Sequence, residues 1–262
     1  MTTIPGREAD VTYGGITMKL FLDMGVGIGG DKWPAAENFC SLITSKEYIT
    51  FFRSLISGRR VLELGSGNGL VGILIDKLFQ PKEMCITDHP SHMKHIERNV
   101  FQNECESTTF SLAYDWTGSV SDLGDALQKP FDVILALEWY VFPKTCMPQI
   151  NHYAVFSLNF IICGRFICLR LFLGANALTF FIRCCYIYSV YREDLYLPLI
   201  RAIKQQSHKQ TLCFLGSTRQ FTKPLFFHML EQNGLGYKKL PVGLLQASVL
   251  DESIGMFIIY TI

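Results

Sequence analysis

Apolar and polar positions along this chain switch between two periods. Short apolar runs at Val61–Leu64, Met84–Thr87, Thr109–Leu112 and Phe131–Ala136 predict four strands, and Thr211–Gly216 predicts a fifth. Interleaved 3.6-residue patterns predict helices over Leu70–Phe79, His92–Gln102, Tyr191–Gln206 and Gln220–Asn233. In the third of these, Leu195, Leu199, Ile200 and Ile203 share a face. Leu235–Leu240 and Met256–Ile262 predict two late strands suited to an antiparallel edge pair. Such alternation implies an α/β fold: a doubly wound, mostly parallel, seven-stranded sheet with helices on both faces. Ligands of such sheets bind at the carboxyl ends of the strands. Ser66, Asp88, Trp116 and Glu138 all follow predicted strand ends.

The block from Trp139 to Ser189 breaks the pattern. It holds five of the chain's nine cysteines and seven phenylalanines, and carries basic residues but no acid. It shows no consistent period and reads as an irregular hydrophobic insertion after the fourth strand. The uncharged run from Thr145 to Gly164 is interrupted by Pro148, Gln149, Asn151, His152 and Asn159, a poor membrane span. Two origins stand open, a genuine insertion and a translated intron. Trp139-Tyr140-Val141 must be encoded with a splice-donor signal inside it, and Tyr188-Ser189 can carry an acceptor. Excision between them keeps the reading frame, joins Glu138 through a cysteine to Val190 and Tyr191, and leaves a short connection. The expected organisation is one domain, residues 1–138 with 190–262, carrying the block 139–189.

The densest chemistry lies in Glu63-Leu64-Gly65-Ser66-Gly67-Asn68-Gly69, directly before the helix that starts at Leu70. Alternate glycines permit a tight turn and close backbone approach, and a helix start offers free N–H groups, the layout of a nucleotide-cofactor site. Gly67 to Gly72 also fits the dinucleotide pattern G-x-G-x-x-G. Glu63, however, would repel a pyrophosphate and attract a cationic ligand. Asp88, at the end of the second strand, is placed to accept from both ribose hydroxyls, which either cofactor class would offer.

With a net charge of +1, the chain has no global basic field, and nucleic acid is not an expected partner. Arg7, Glu8, Asp10 and Lys19 within the first twenty residues speak against a secretory leader. Cysteines without metal-ligand spacing fit a reducing compartment, the cytoplasm and also the nucleus, and no metal is expected. His89, His92 and His95 recur every third residue and read as a helix edge rather than a metal site.

The form E-x-G-x-G-x-G resembles motif I of class I, seven-β-strand S-adenosylmethionine methyltransferases. Taken with Gly29-Gly30-Asp31-Lys32-Trp33-Pro34-Ala35-Ala36, Ile86-Thr87-Asp88, Asn99-Val100 with Asn103, and Asp115-Trp116, the chain resembles the methyltransferase-like 21 group of protein-lysine methyltransferases. The likeness runs over Gly25 to Leu137 and Val190 to Ile262. It implies a Rossmann-like fold, S-adenosylmethionine as methyl donor, and a lysine of a protein as acceptor, with translation elongation factor 1-alpha the first candidate. Carried over by position, Trp33, Gly65, Ser66, Gly67, Asp88, Trp116 and Ala136 would contact the cofactor, with Glu63 beside them.

Trp116 offers a face for adenine, and Trp33 can close over the cofactor, although either could be an ordinary core residue. Gly25–Gly30 reads as a flap over the site. The family's acidic-x-x-Tyr motif follows the fourth strand; here Glu138 is present, and excision of the block would set Tyr191 at the matching place. Glu138 and Tyr191 are therefore the expected catalytic pair, in a monomer with no membrane partner. An impaired splice product and a methyltransferase acting on a small molecule remain the alternatives.

Overall fold

The computed structural model describes residues 6–26, 28–116, 125–137, 159–163, 166–173, 176–182, 193–218, 224–240 and 254–262. It opens with a hairpin, β1 (Arg7–Tyr13) and β2 (Ile16–Leu22), turned at Gly14-Gly15 and paired antiparallel from Arg7 with Leu22 to Tyr13 with Ile16. Helices α1 (Pro34–Thr44) and α2 (Ile49–Ile56) follow. Strand and helix then alternate: β3 (Arg60–Leu64), α3 (Leu70–Phe79), β4 (Glu83–Asp88), α4 (Met93–Gln102), β5 (Thr109–Ala113) and β6 (Phe131–Leu137). After β7 (Asn159–Cys163), β8 (Phe166–Leu173) and β9 (Asn176–Ile182) come α5 (Tyr196–Gln205), β10 (Ser207–Thr218), α6 (Pro224–Gln232), β11 (Leu235–Lys239) and β12 (Ile254–Thr261).

The chain divides into two compact units, Met1–Tyr140 with Glu193–Ile262, and Val141–Arg192. In the first, a seven-stranded sheet runs β11-β12-β10-β6-β3-β4-β5. Neighbours from β10 to β5 are parallel, and β12 is antiparallel to both β10 and β11. This is the doubly wound sheet the alternation implied, with the expected antiparallel edge pair. The order reverses between β3 and β6, so a crevice is expected beyond their carboxyl ends. Val61, Leu62 and Leu64 of β3 are fully buried, as strands covered on both faces must be. From α3, Leu70, Val71, Ile73, Leu74, Ile75 and Phe79 are buried, each contributing about 1.5–3 kcal/mol.

At the opposite, amino-terminal side of the sheet, Arg60 ties three strands together. Its guanidinium makes a two-pronged pair with Glu83, at 2.9 Å for each prong, and lies 4.4 Å from the Phe131 ring centre. Its backbone N–H donates to Asp132 Oδ2 at 2.9 Å.

The hairpin is attached by side chains rather than by another strand. Met18, Leu20 and Leu22 of β2 alternate into the core. On the edge facing away from β1, Phe21 N–H donates to Asn99 Oδ1 at 2.7 Å and its carbonyl accepts from Asn99 Nδ2 at 3.2 Å. Lys19 makes the matching pair with Asn103, at 3.1 and 2.7 Å. Residues four apart on a helix lie about 6 Å apart along its axis. Residues two apart on a strand lie about 6.7 Å apart. Two asparagines on one face of α4 thus imitate a neighbouring strand.

Two expectations change. The predicted helix from Tyr191 becomes a 3-10 turn, Glu193–Leu195, and then α5; Pro198 has no N–H for a helical bond to Asp194 and fits only in the first turn. Within the second unit, the block read as irregular contains a three-stranded antiparallel sheet, β7-β8-β9. Its aromatic and branched residues favour strands even where no clean alternation marks them. Among the described residues, no helix is long and apolar enough to cross a membrane.

Candidate functional site

The turn between β3 and α3 is built by glycines at alternate positions, with φ of 67° at Gly65, 63° at Gly67 and 81° at Gly69. Side chains would strain all three. The turn is held from several sides. Ser66 N–H donates to the Thr87 carbonyl at 3.0 Å, and Gly67 N–H donates to Asp88 Oδ2 at 2.7 Å. Asn68 is buried; its Oδ1 accepts from Leu70 N–H at 3.0 Å, its Nδ2 donates to the Asp31 carbonyl at 2.9 Å, and its own carbonyl accepts from Asn99 Nδ2 at 2.9 Å. One side chain therefore joins the glycine turn to the segment leading into Trp33, while Asn99 joins the turn to β2.

Helix α3 has no side-chain cap at Gly69. Glu63 supplies the missing acceptor from within the sheet: its Oε2 takes the N–H of Gly72 at 3.0 Å. A Cβ at Gly72 would fall 2.8 Å from that oxygen and 2.7 Å from the Ile86 side chain, so only glycine allows the approach. Glu63 is 2% exposed. Burial pushes its carboxyl up to about 8, against the pull of the Gly72 N–H and with a further push from Asp88. A cation brought into the crevice would draw it back towards the ionised form.

The folded protein thus holds a proton on Glu63 between about 4.5 and about 8, where the unfolded chain has lost it. More protons bound in the folded state means that stability falls as pH rises through this window. Glu63→Gln keeps an acceptor for Gly72 without the charge. The variant is expected to flatten the pH profile and to melt a few degrees above wild type at alkaline pH; thermal melts across the window check this.

Of the residues expected from sequence to form the site, several meet. Gly67 and Asp88 are hydrogen-bonded, and the Trp116 ring lies over Gly65, its Cζ2 3.1 Å from where a Cβ would stand. Trp33 stands at the N-cap position of α1, with no capping hydrogen bond from its side chain. The Ala35 methyl would lie 3.2 Å from a Cβ at Gly216 of β10, which places that helix start over the strand's carboxyl end. Ala136 is fully buried near the end of β6, paired with Leu215. Gly25–Gly30, read as a flap, holds two 3-10 turns, Met24–Val26 and Ile28–Gly30; a Cβ at Gly67 would stand 3.1 Å from the Gly29 carbonyl oxygen. Glu138 and Tyr191 lie outside the described residues.

Sequence reasoning gave no role to Asn68 or to the hydrogen bond of His92 to Asp88, and left the Asn99–Asn103 pair as a bare motif. Asn68 was available as a polar residue inside the glycine turn. The asparagine ladder depends on the register of a strand about eighty residues away and has no local signal. His89 Nδ1 is bonded to Ser91 Oγ and His92 Nδ1 to Asp88 Oδ1, both at 2.9 Å. Among the described residues no cluster of His, Cys, Asp or Glu is grouped for a metal.

At the same rim, Ser66 Oγ and Trp116 Nε1 are buried with no hydrogen-bond partner among the described residues. Buried polar atoms are nearly always paired, so two orphans beside a glycine cradle mark where a ligand would supply partners.

Residues 14–149 match the family model described as lysine methyltransferase. The chain is 28% identical over 122 residues to the protein-lysine N-methyltransferase EFM6 of Saccharomyces cerevisiae, covering 42% of this chain and 50% of that protein. It is 36% identical over 78 residues to EEF1A lysine methyltransferase 3 of Mus musculus, covering 30% of each. The chain spans half or less of the length of these curated relatives. Among solved structures it is similar to the 16S rRNA N2 G1207 methyltransferase RsmC of T. thermophilus, in complex with AdoMet and guanosine. That likeness has a TM-score of 0.54 at 14% identity over 98% of this chain and 51% of that one, and shows the fold.

Proposed function

The chain belongs to the lysine methyltransferase family, and on that premise we propose that it uses S-adenosylmethionine to methylate a lysine side chain of a protein. The observation that carries the reading is the rim itself. Asp88 closes onto the Gly67 N–H, and Ser66 of the glycine turn and Trp116 over Gly65 each leave a buried polar atom, Oγ and Nε1, without a partner among the described residues. S-adenosylmethionine, when bound, supplies a methyl group activated by a sulfonium. Asp88 would take the ribose and Trp116 the adenine, and Trp33, Gly65, Ser66, Gly67 and Ala136 would complete the cradle. Glu63, held protonated by burial, would be drawn towards its ionised form by the sulfonium and would then supply negative charge to the cradle.

The acceptor lysine, with a free pKa near 10.4, must shed its proton before it can react. An apolar channel beside a fixed positive charge lowers that pKa. Glu138 receives and orients the incoming ammonium, and Tyr191 narrows the channel. Alignment of the nitrogen is then the main contribution of the protein. Elongation factor 1-alpha is the first acceptor to try, since the mouse relative's name carries it.

Residues 1–138 and 190–262 form the methyltransferase domain in this reading, and 139–189 is an insertion that separates Glu138 from Tyr191. Two chains should be compared, the full one and one in which a single cysteine replaces 139–189, each given methyl-labelled cofactor and a protein extract. Label on lysine of a protein band supports the reading. Label on small molecules, or on nothing with either chain, overturns it. Label with the shortened chain alone assigns the full chain as its impaired form.

A further inference from the structure

Asp88 is nearly saturated before any ribose reaches it. Its Oδ1 accepts from His89 N–H at 2.6 Å and faces His92 Nδ1 at 2.9 Å, while Oδ2 accepts from Gly67 N–H at 2.7 Å. A carboxylate accepts but cannot donate, so Nδ1 of His92 carries the hydrogen. The two oxygens together offer about four acceptor sites, of which three are taken and one remains on Oδ2. A ribose diol brings two donors. Two of the present donors are backbone N–H groups fixed by the strand end and the glycine turn. The third is a side chain, able to turn about its own bonds.

The ring is well placed to matter. His92 lies four residues beyond Asp88, at the start of α4, with side-chain exposure of 16% against 12%. It packs against the loop before α1: a Cβ at Gly29 would lie 2.9 Å from His92 Cδ2 and 3.1 Å from Gly67 Cα. The surrounding titratable groups are Asp88 itself, His89 with its ring centre 6.5 Å away, and His95 one turn on.

We propose that the His92 Nδ1–H and one ribose hydroxyl compete for the same lone pair of Asp88 Oδ1, which makes His92 a residue that sets affinity for diol-bearing ligands. The inference rests on the reading of Asp88 as the ribose acceptor. Two variants test it, His92→Leu, which fills the space of the ring, and His92→Ala. Each is titrated by calorimetry with S-adenosylhomocysteine and with its 2′-deoxy and 3′-deoxy analogues. Both variants are expected to bind the parent ligand about 5–10-fold more tightly than wild type, the worth of one released charge-assisted hydrogen bond. That gain should vanish for the one deoxy analogue lacking the hydroxyl that faces Oδ1, and persist for the other.

Equal or weaker binding of the parent ligand by both variants, with wild type binding normally, overturns the inference alone. So does a gain that ignores both hydroxyls, which would be relief of crowding. No binding by wild type or variants overturns the methyltransferase reading and the inference with it.

Discussion

Asp88→Ala is expected to weaken S-adenosylhomocysteine binding by about 100-fold or more while leaving a folded protein. The carboxylate accepts from the Gly67 N–H, and it stands at the end of β4, where the chain leaves the sheet. Hydrogen bonds to a charged group contribute about 1.5–3 kcal/mol each, and removal of the carboxylate takes away its bonds to the diol. It also releases the Gly67 N–H and loosens the turn on which the ligand lies. Two such losses amount to about 3–4 kcal/mol, and every 1.4 kcal/mol is roughly tenfold in affinity. Asp88→Asn keeps the shape but turns one acceptor into a donor pair, and about a tenfold loss is expected. Calorimetry with S-adenosylhomocysteine measures both. An alanine variant that binds within about threefold of wild type would remove Asp88 from the site.

Much of this arrangement could be read before folding was considered. β3, β4, β5 and β6 announce themselves as apolar runs, and each observed strand begins or ends within a residue of the expected limits. The glycine turn before α3 is legible in the sequence because its chemistry is local. The hairpin and the first two helices are not among the expected elements, although Met18, Leu20 and Leu22 alternate and Pro34 opens a helix. Only the neighbouring Gly25–Gly30 stretch carries an expectation there, that of a flap. Asn68, Asn99 and Asn103 are visible in the sequence as residues, but their bonding roles, and that of His92, are not. Asn68, Asn99 and Asn103 depend on partners far away in sequence, the Asp31 carbonyl and the edge of β2, whereas His92 meets Asp88 only four residues before it through the bend at the end of β4. Polar residues of this kind look like any solvated helix face until the register of a distant strand is known.

The asparagine ladder leads to the second large effect, on stability. Asn99→Ala is expected to cost about 3 kcal/mol, because it strands three backbone groups at once: Phe21 N–H, Phe21 carbonyl and Asn68 carbonyl. Asn99 is fully buried, so water cannot readily replace the amide. At about 2–4 °C per kcal/mol for a chain of this size, the melting temperature should fall by roughly 6–12 °C. Asn99→Asp separates the two halves of the effect. It keeps the acceptor for Phe21 N–H but faces two carbonyls with a carboxylate, so it should be no milder than alanine. Asn103→Ala should cost less, since Lys19 lies on a partly exposed stretch where water can reach its backbone. The same substitution at Asn99 should also weaken ligand binding several-fold, because the carbonyl it releases belongs to the glycine turn. Thermal melts and ligand titration of one set of variants test both halves. An Asn99→Ala protein that melts within about a degree of wild type would mean that the hairpin is held by its apolar face alone.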